Sequence, residues 1–157
     1  MKRLVTLLVT ALLMTAALCV SASAADYQSA AEDLSAIGMF RGTVNGGFEL
    51  DRAPKRSEAA IMLVRLYGAE EEAAAAYQSG EISHPFKDVG PIASPYVAWL
   101  YTKGITKGAT ATTFNSNAAC TDKNYVVFLL RALGYEDGKD FQYAESLTFA
   151  EKLGFYQ

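Results

Sequence analysis

The chain has 157 residues, with 14 lysines and arginines against 17 aspartates and glutamates, a formal charge of −3. That balance, with no basic run, excludes bulk attraction of nucleic acid. With two cysteines and a 51% hydrophobic composition, stability has to come from an apolar core rather than a disulfide framework.

Lys2 and Arg3 precede an apolar run from Leu4 to Val20, and Ala22 and Ala24 follow it in "SASA". A basic start, an apolar centre and small residues two apart read as a secretory signal peptide over 1–24, cut after Ala24. The run is at the short end for a membrane span, and Leu18 ahead of Cys19 rules out a lipoprotein site. Without Lys2 and Arg3 the secreted chain has 12 basic against 17 acidic residues, a charge of −5, and keeps only Cys120. An anionic partner would need a local cluster of cations rather than the overall field.

Apolar spacing then predicts helices in pairs. The first runs over about Tyr27–Ile37 and closes at Gly38, where a residue with positive φ can end the last turn. The link "MFRGTVNGGF" leads to a second helix over about Lys55–Tyr67, with Ala59, Met62, Leu63 and Leu66 three and four apart. Alanine-rich "AEEEAAAAYQ" reads as helix, and "SGEISHPFKDVGPIASP" as a loop punctuated by proline and glycine. His84 lies in that loop, and one His and one Cys far apart in sequence make a weak case for a metal site or a thiol catalyst, so it reads as a loop histidine. Another helix over about Pro95–Lys103, with Ser94 as N-cap and Pro95 as first helical residue, ends at Gly104. After "ITKGATATTF", a helix over about Thr121–Leu133 carries Tyr125, Phe128, Leu129 and Leu133.

The pairs are copies. Residues 34–68 laid over 100–134 at a constant offset of 66 share Leu34/Leu100, Gly38/Gly104, Gly42/Gly108, Phe48/Phe114, Ala53/Ala119, Leu63/Leu129, Arg65/Arg131 and Gly68/Gly134. These identities fall on glycines, an aromatic and helix core, the positions that set geometry. This is an internal repeat. A third start, "YAESLTFAEKLGFYQ", matches the first helix and its glycine at Gly154, and the sequence ends there.

The pattern resembles the S-layer homology (SLH) domain of bacterial surface proteins. A typical unit of that family runs F-x-D-V, a helix with W-A, G-[IL]-x-x-G, an aromatic, then I-T-R-A-E opening a second helix. Here Phe86, Asp88 and Val89 supply F-x-D-V, Trp99 the tryptophan, Gly104 to Gly108 the glycine link, and Phe114 the aromatic; Arg56 and Glu58 match T-R-A-E in the first copy. The resemblance implies a mainly all-α fold of tandem helix–loop–helix repeats, packed as an incomplete three-lobed bundle. It divides the chain into a repeat at 25–82, a second at 83–141 and the start of a third at 142–157. It implies non-covalent anchoring to the secondary polysaccharide attached to peptidoglycan, often pyruvylated, at the bacterial wall, without catalysis, cofactor or metal. The rest of the third unit would come from a longer chain (a downstream domain), from a partner chain such as a second copy, or from nothing at all.

The copies differ at the second helix's start. A helix N-terminus favours anions, and an arginine fork there can grip a carboxylate twice. The first copy keeps Arg56 and Glu58 but has Lys55 where the cap belongs. The second keeps a capping Thr121 but has Asp122 and Asn124 in place of arginine and glutamate. The expected glycan contacts are therefore Arg56, with Glu58 as cap and orienting partner, and Arg41 and Lys107 adding positive charge before the second link glycine. Trp99, Tyr96 and Tyr101 suit sugar stacking, but core spacing favours burial. Cys120 reads as a small buried apolar residue, and Asp88 as a loop-fixing acceptor. A rival reading is a degenerate pair acting in protein–protein contact or oligomerisation without sugar.

Overall fold

A computed structural model describes residues 21–43 and 46–156, and most of the leader expected at 1–24 lies outside them. The described residues form six α-helices and one 3₁₀ turn with no strand, an all-α fold. The chain divides into two compact units, 1–51 and 52–157.

The first unit contains α1 (Ser21–Ala36), which begins upstream of the expected Tyr27. It closes at Gly38, φ 75°, with the Met39 and Phe40 N–H groups both donating to the Leu34 carbonyl. Phe40 and Phe48 then stack at 5.1 Å.

The second unit holds α2 (Arg56–Leu66), α3 (Glu70–Gln78), α4 (Ser94–Thr102), α5 (Asp122–Ala132), a 3₁₀ turn at Tyr143–Glu145 and α6 (Ser146–Lys152). The alanine-rich stretch is helical as read, with Glu70, Glu71 and Glu72 in its first turn, where acids favour the helix dipole. The start of α4 differs by one residue from expectation. Ala93 is its N-cap, and Ser94 is already helical, its hydroxyl donating to the Gly90 carbonyl at 3.0 Å.

One core cluster joins Leu63 and Val64 of α2, Val97, Trp99 and Leu100 of α4, Phe114 of the link and Phe128 of α5. Trp99 belongs to it, 6% exposed, with its indole N–H bonded to Glu72 at 2.9 Å. A second cluster joins Val126, Val127 and Leu130 to Phe141 and Ala150. Helix α5 is thus buried on two sides, whereas its spacing had suggested a single stripe through Leu133, which is 65% exposed. Leu147 and Phe149 of α6, in the stretch expected to open a third copy, are partly buried against this second face.

The offset of 66 is visible in the backbone. Gly104 N–H donates to the Tyr101 carbonyl as Gly38 does to Ser35, and Ile105 and Thr106 both donate to Leu100 as Met39 and Phe40 do to Leu34. Ala109 N–H bonds the Thr113 carbonyl as Thr43 N–H bonds Gly47. Even the non-glycine residues with positive φ correspond: Glu49 at 49° and Asn115 at 61°. In the third start, Phe155 N–H donates to the Ala150 carbonyl after Gly154, the same closing bond.

Asp88 fixes the link of the second copy. Its two carboxylate oxygens accept the N–H groups of Phe114 (2.7 Å) and Ser116 (3.0 Å). Burial pushes its carboxyl up, but the backbone N–H bonds to Phe114 and Ser116 outweigh this and hold it below its ordinary value. Gly108 completes the turn at φ 77°; a Cβ there would collide with the Phe86 ring and lie 2.8 Å from the Thr110 carbonyl.

Gly108→Ala is therefore expected to cost about 2–4 kcal/mol in urea denaturation, from left-handed strain plus overpacking. Asp88 makes the second prediction. Because its folded pKa is depressed, its stabilisation is complete above the unfolded carboxylate value of about 4 and is lost as pH falls through the lower folded value. Asp88→Asn should lower stability at neutral pH by about 1 kcal/mol. It should also shrink the fall in Tm on acidification below that point, leaving the part owed to Glu58, whose carboxyl is depressed as well.

Candidate functional site

The site starts from the seam between the two copies in the second unit. Lys55 and Ala119 form an antiparallel bridge. Cys120 N–H donates to the Pro54 carbonyl at 2.8 Å, Arg56 N–H to Ala118 at 2.8 Å, and Ser57 N–H to Ser116 at 3.1 Å. The Ser57 hydroxyl adds a bond to the same Ser116 carbonyl at 2.9 Å. The first two free N–H groups of α2 are therefore occupied by the chain itself. The expectation that this helix terminus offers bare N–H groups to an anion is corrected: the link of the second copy fills that place.

What remains for a ligand is the arginine fork. Arg56 is 8% exposed, and its Nε donates to the Phe114 carbonyl at 2.9 Å. Its guanidinium carbon lies 4.8 Å from the centre of the Phe114 ring and 4.6 Å from that of Phe128. Those rings are nearly parallel, 3° apart, with centroids at 6.4 Å. A guanidinium against two aromatic faces is attracted by both and keeps its terminal nitrogens in plane for other partners. No carboxylate lies within ion-pair distance of Arg56 among the described residues. Burial pushes its pKa down; the charges of Cys120 and Tyr143 oppose the shift, and the like charge of Arg131 adds to it.

Arg56 lines a cavity of about 450 Å³ with Phe128, Arg131, Asn115, Asn124 and Tyr143. Gly108, Ala109 and Ala118 complete the lining with Val127. Tyr143 donates its hydroxyl to Asn124 Oδ1 at 2.9 Å. The lining thus combines an aromatic ring, Val127 and small residues with two amides, a phenol and two arginines. This chemistry suits a small anionic or polyhydroxylated ligand better than an apolar one.

The other expected contacts sit elsewhere. Glu58 faces Arg52, at 2.7 and 3.0 Å, rather than Arg56, and also accepts the Lys55 N–H at 2.7 Å. The Arg52 bond chiefly holds its carboxyl below the ordinary value. A lysine ammonium offers no lone pair, so only this return half of a capping box exists at α2, while at α5 Thr121 Oγ1 accepts the Asn124 N–H at 3.3 Å. Lys107 is exposed, one residue before the cavity's Gly108. Arg41 is exposed in the first unit.

Sequence reasoning did not single out Arg131, Asn115 or Tyr143. Arg131 was visible as an identity at offset 66, but its place in a cavity wall depends on how α5 packs. Cys120 is a buried free thiol whose pKa burial raises, in keeping with an apolar filler. His84 is held between the Tyr77 and Phe86 rings and accepts the Phe86 N–H on Nδ1 at 3.2 Å. Among the described residues no cluster of three His, Cys, Asp or Glu side chains could hold a metal ion, and no helix is long and apolar enough to cross a membrane.

Comparison with known proteins bears on the same seam. No curated protein matches the chain. Residues 85–121 match the family model of the S-layer homology domain, spanning Phe86, Asp88, α4, the glycine link and Phe114, and ending at the cap of α5. That stretch contributes the Phe114 and Ala118 carbonyls that hold Arg56. This stretch is thus similar to the S-layer homology domain, a family of binding modules associated in general with cell surfaces.

Proposed function

We propose that this chain is an exported module that anchors itself, or a protein it belongs to, non-covalently to the secondary polysaccharide of a bacterial cell wall. The observation that carries this reading is Arg56: a guanidinium positioned by two rings and a carbonyl, in a cavity wall, with no carboxylate to neutralise it. Burying an uncompensated charge is unfavourable, and an anionic ligand group relieves it. An acidic sugar supplies that group and brings hydroxyls for Asn115, Asn124 and Tyr143. Glu58 holds the start of α2 through Lys55 N–H and so positions Arg56. Lys107 raises the local positive potential beside Gly108, and Arg41 holds the corresponding place in the first copy.

A second reading draws on exposed apolar side chains, Ile92 at 82% and Leu133 at 65%. They suit a surface protein–protein or oligomerisation element that works without sugar, which would show as glycan-independent self-association in light scattering.

The anchoring reading is tested by co-sedimentation of the purified secreted chain with cell-wall sacculi. The protein should pellet with intact sacculi and less so after the wall polymer is stripped. Arg56→Ala should weaken binding tenfold or more, the loss of a charge-assisted hydrogen-bond pair. Thermal melts of Arg56→Ala and Arg56→Lys separate lost binding from lost folding. A folded Arg56→Ala protein that pellets like the parent would sink the assignment.

A further inference from the structure

The chain has one histidine, His84, and imidazole is the side chain whose ordinary titration falls between about pH 5 and 8. Its surroundings suit the neutral form. Nδ1 accepts the Phe86 N–H at 3.2 Å, so the ring proton sits on Nε2. Nε2 is buried and has no hydrogen-bond partner. The ring lies between Tyr77 of α3, with centroids 6.4 Å and planes 12° apart, and Phe86, at 5.5 Å and 17°. A proton taken from water goes to Nδ1, where it meets the Phe86 N–H donor to donor. The cation then has two N–H groups and no acceptor. Its attraction for two ring faces is smaller than the loss of that bond with buried donors left unmade. Burial accordingly pushes the imidazole below its ordinary value, and the charge of Asp88 opposes the shift.

His84 stands at one end of the segment that grips the link of the second copy. Lys87 N–H donates to the Thr112 carbonyl at 2.9 Å, and Asp88 accepts from Phe114 and Ser116. Alternate residues of the link are thus held by one short stretch. The Phe86 ring packs against Phe114 at 5.7 Å and Tyr101 of α4 at 5.4 Å. Phe114 in turn holds Arg56 Nε through its carbonyl. Asp88 is therefore both the anion that acts on His84 and the clasp of the link.

We propose that His84 is an acid-sensitive latch on this link: proton uptake drives the imidazole out from between Tyr77 and Phe86, frees the Phe86 N–H and draws Asp88 away from Phe114 and Ser116. Because the folded state disfavours the charged imidazole, the latch holds fully above the unfolded value of about 6.5 and weakens as pH falls through it. Asp88 stays ionised over that window, since its own carboxyl is held below the ordinary value. Protonation of Asp88 at lower pH is a separate event.

The test is amide hydrogen exchange by NMR on the full secreted chain at about pH 7.5 and 5.5, with rates divided by their intrinsic values and the single imidazole followed in the same samples. Protection of the Phe114 and Ser116 N–H groups should fall about tenfold at the lower pH, the loss of one hydrogen bond. Protection of Leu130 in α5 should change less. His84→Asn keeps an acceptor for the Phe86 N–H, because an asparagine oxygen bonds the N–H two residues on, and has nothing to protonate. It should keep the same protection at both pH values. The latch is overturned if the parent's Phe114 and Ser116 amides are equally protected at both, if Leu130 falls as far, or if His84→Asn loses as much as the parent. Should His84→Asn fail to fold, the parent still decides: the amide loss must track the imidazole's own titration, and loss at a different pH overturns the latch. No glycan enters the measurement, so its outcome leaves the anchoring reading untouched.

Discussion

The second unit is organised around the contact of Arg56 with the link of the second copy. One side chain reaches 58 positions along the chain to a carbonyl and lies against two rings of the other copy. The backbone does the same in parallel, from Pro54 to Ser57 against Ser116 to Cys120. None of these bonds is strong by itself. Their effect is to fix two helices and a loop in one register, so that a polar cavity can exist at the edge of an apolar core. The loop is fixed in turn by Asp88, whose oxygens hold the Phe114 and Ser116 N–H groups while the same residues' carbonyls face Arg56 and Ser57.

This arrangement changes how the start of α2 works. A bare helix terminus would offer its N–H groups and dipole to any anion. Here those groups are spent on the fold, and on the proposed reading recognition falls to side chains in the cavity wall. Positive charge is concentrated in guanidinium groups whose planar forks discriminate by direction as well as by charge. In a chain of net acidic character, such a local concentration has to be built by packing, and the Phe114 and Phe128 rings provide it.

The sequence carried the repeat, the helices and the glycine turns well because each leaves a local mark: periodic apolar residues, a glycine after the last turn, a constant offset. Gly38, Gly104 and Gly154 all end helices as read, Trp99 is buried as its spacing suggested, and Cys120 as its place at the motif's isoleucine implied. Boundaries drifted by a residue where the local signal was ambiguous, as at Ser94, which serves Gly90 from inside the helix. The two-sided burial of α5 escaped notice because Val126, Val127 and Leu130 belong to a face whose partner, Phe141, lies outside any repeat alignment. In the site, Arg56 was legible from its motif. Its acceptor was not, since the Phe114 carbonyl is a backbone atom with no sequence signature. Nor could spacing reveal that Glu58 faces Arg52, or that Asp137 rather than Glu136 meets Arg131.

The shared register of the glycine turns has a consequence for how such a chain can change. The bonds that close these turns run from main chain to main chain, at Leu34 as at Leu100, and so place almost no demand on side-chain identity. Two copies within one chain are then free to drift apart in composition while keeping the same turn-closing bonds. One can specialise in holding its sibling and the other in meeting the outside world, without either having to reinvent its shape.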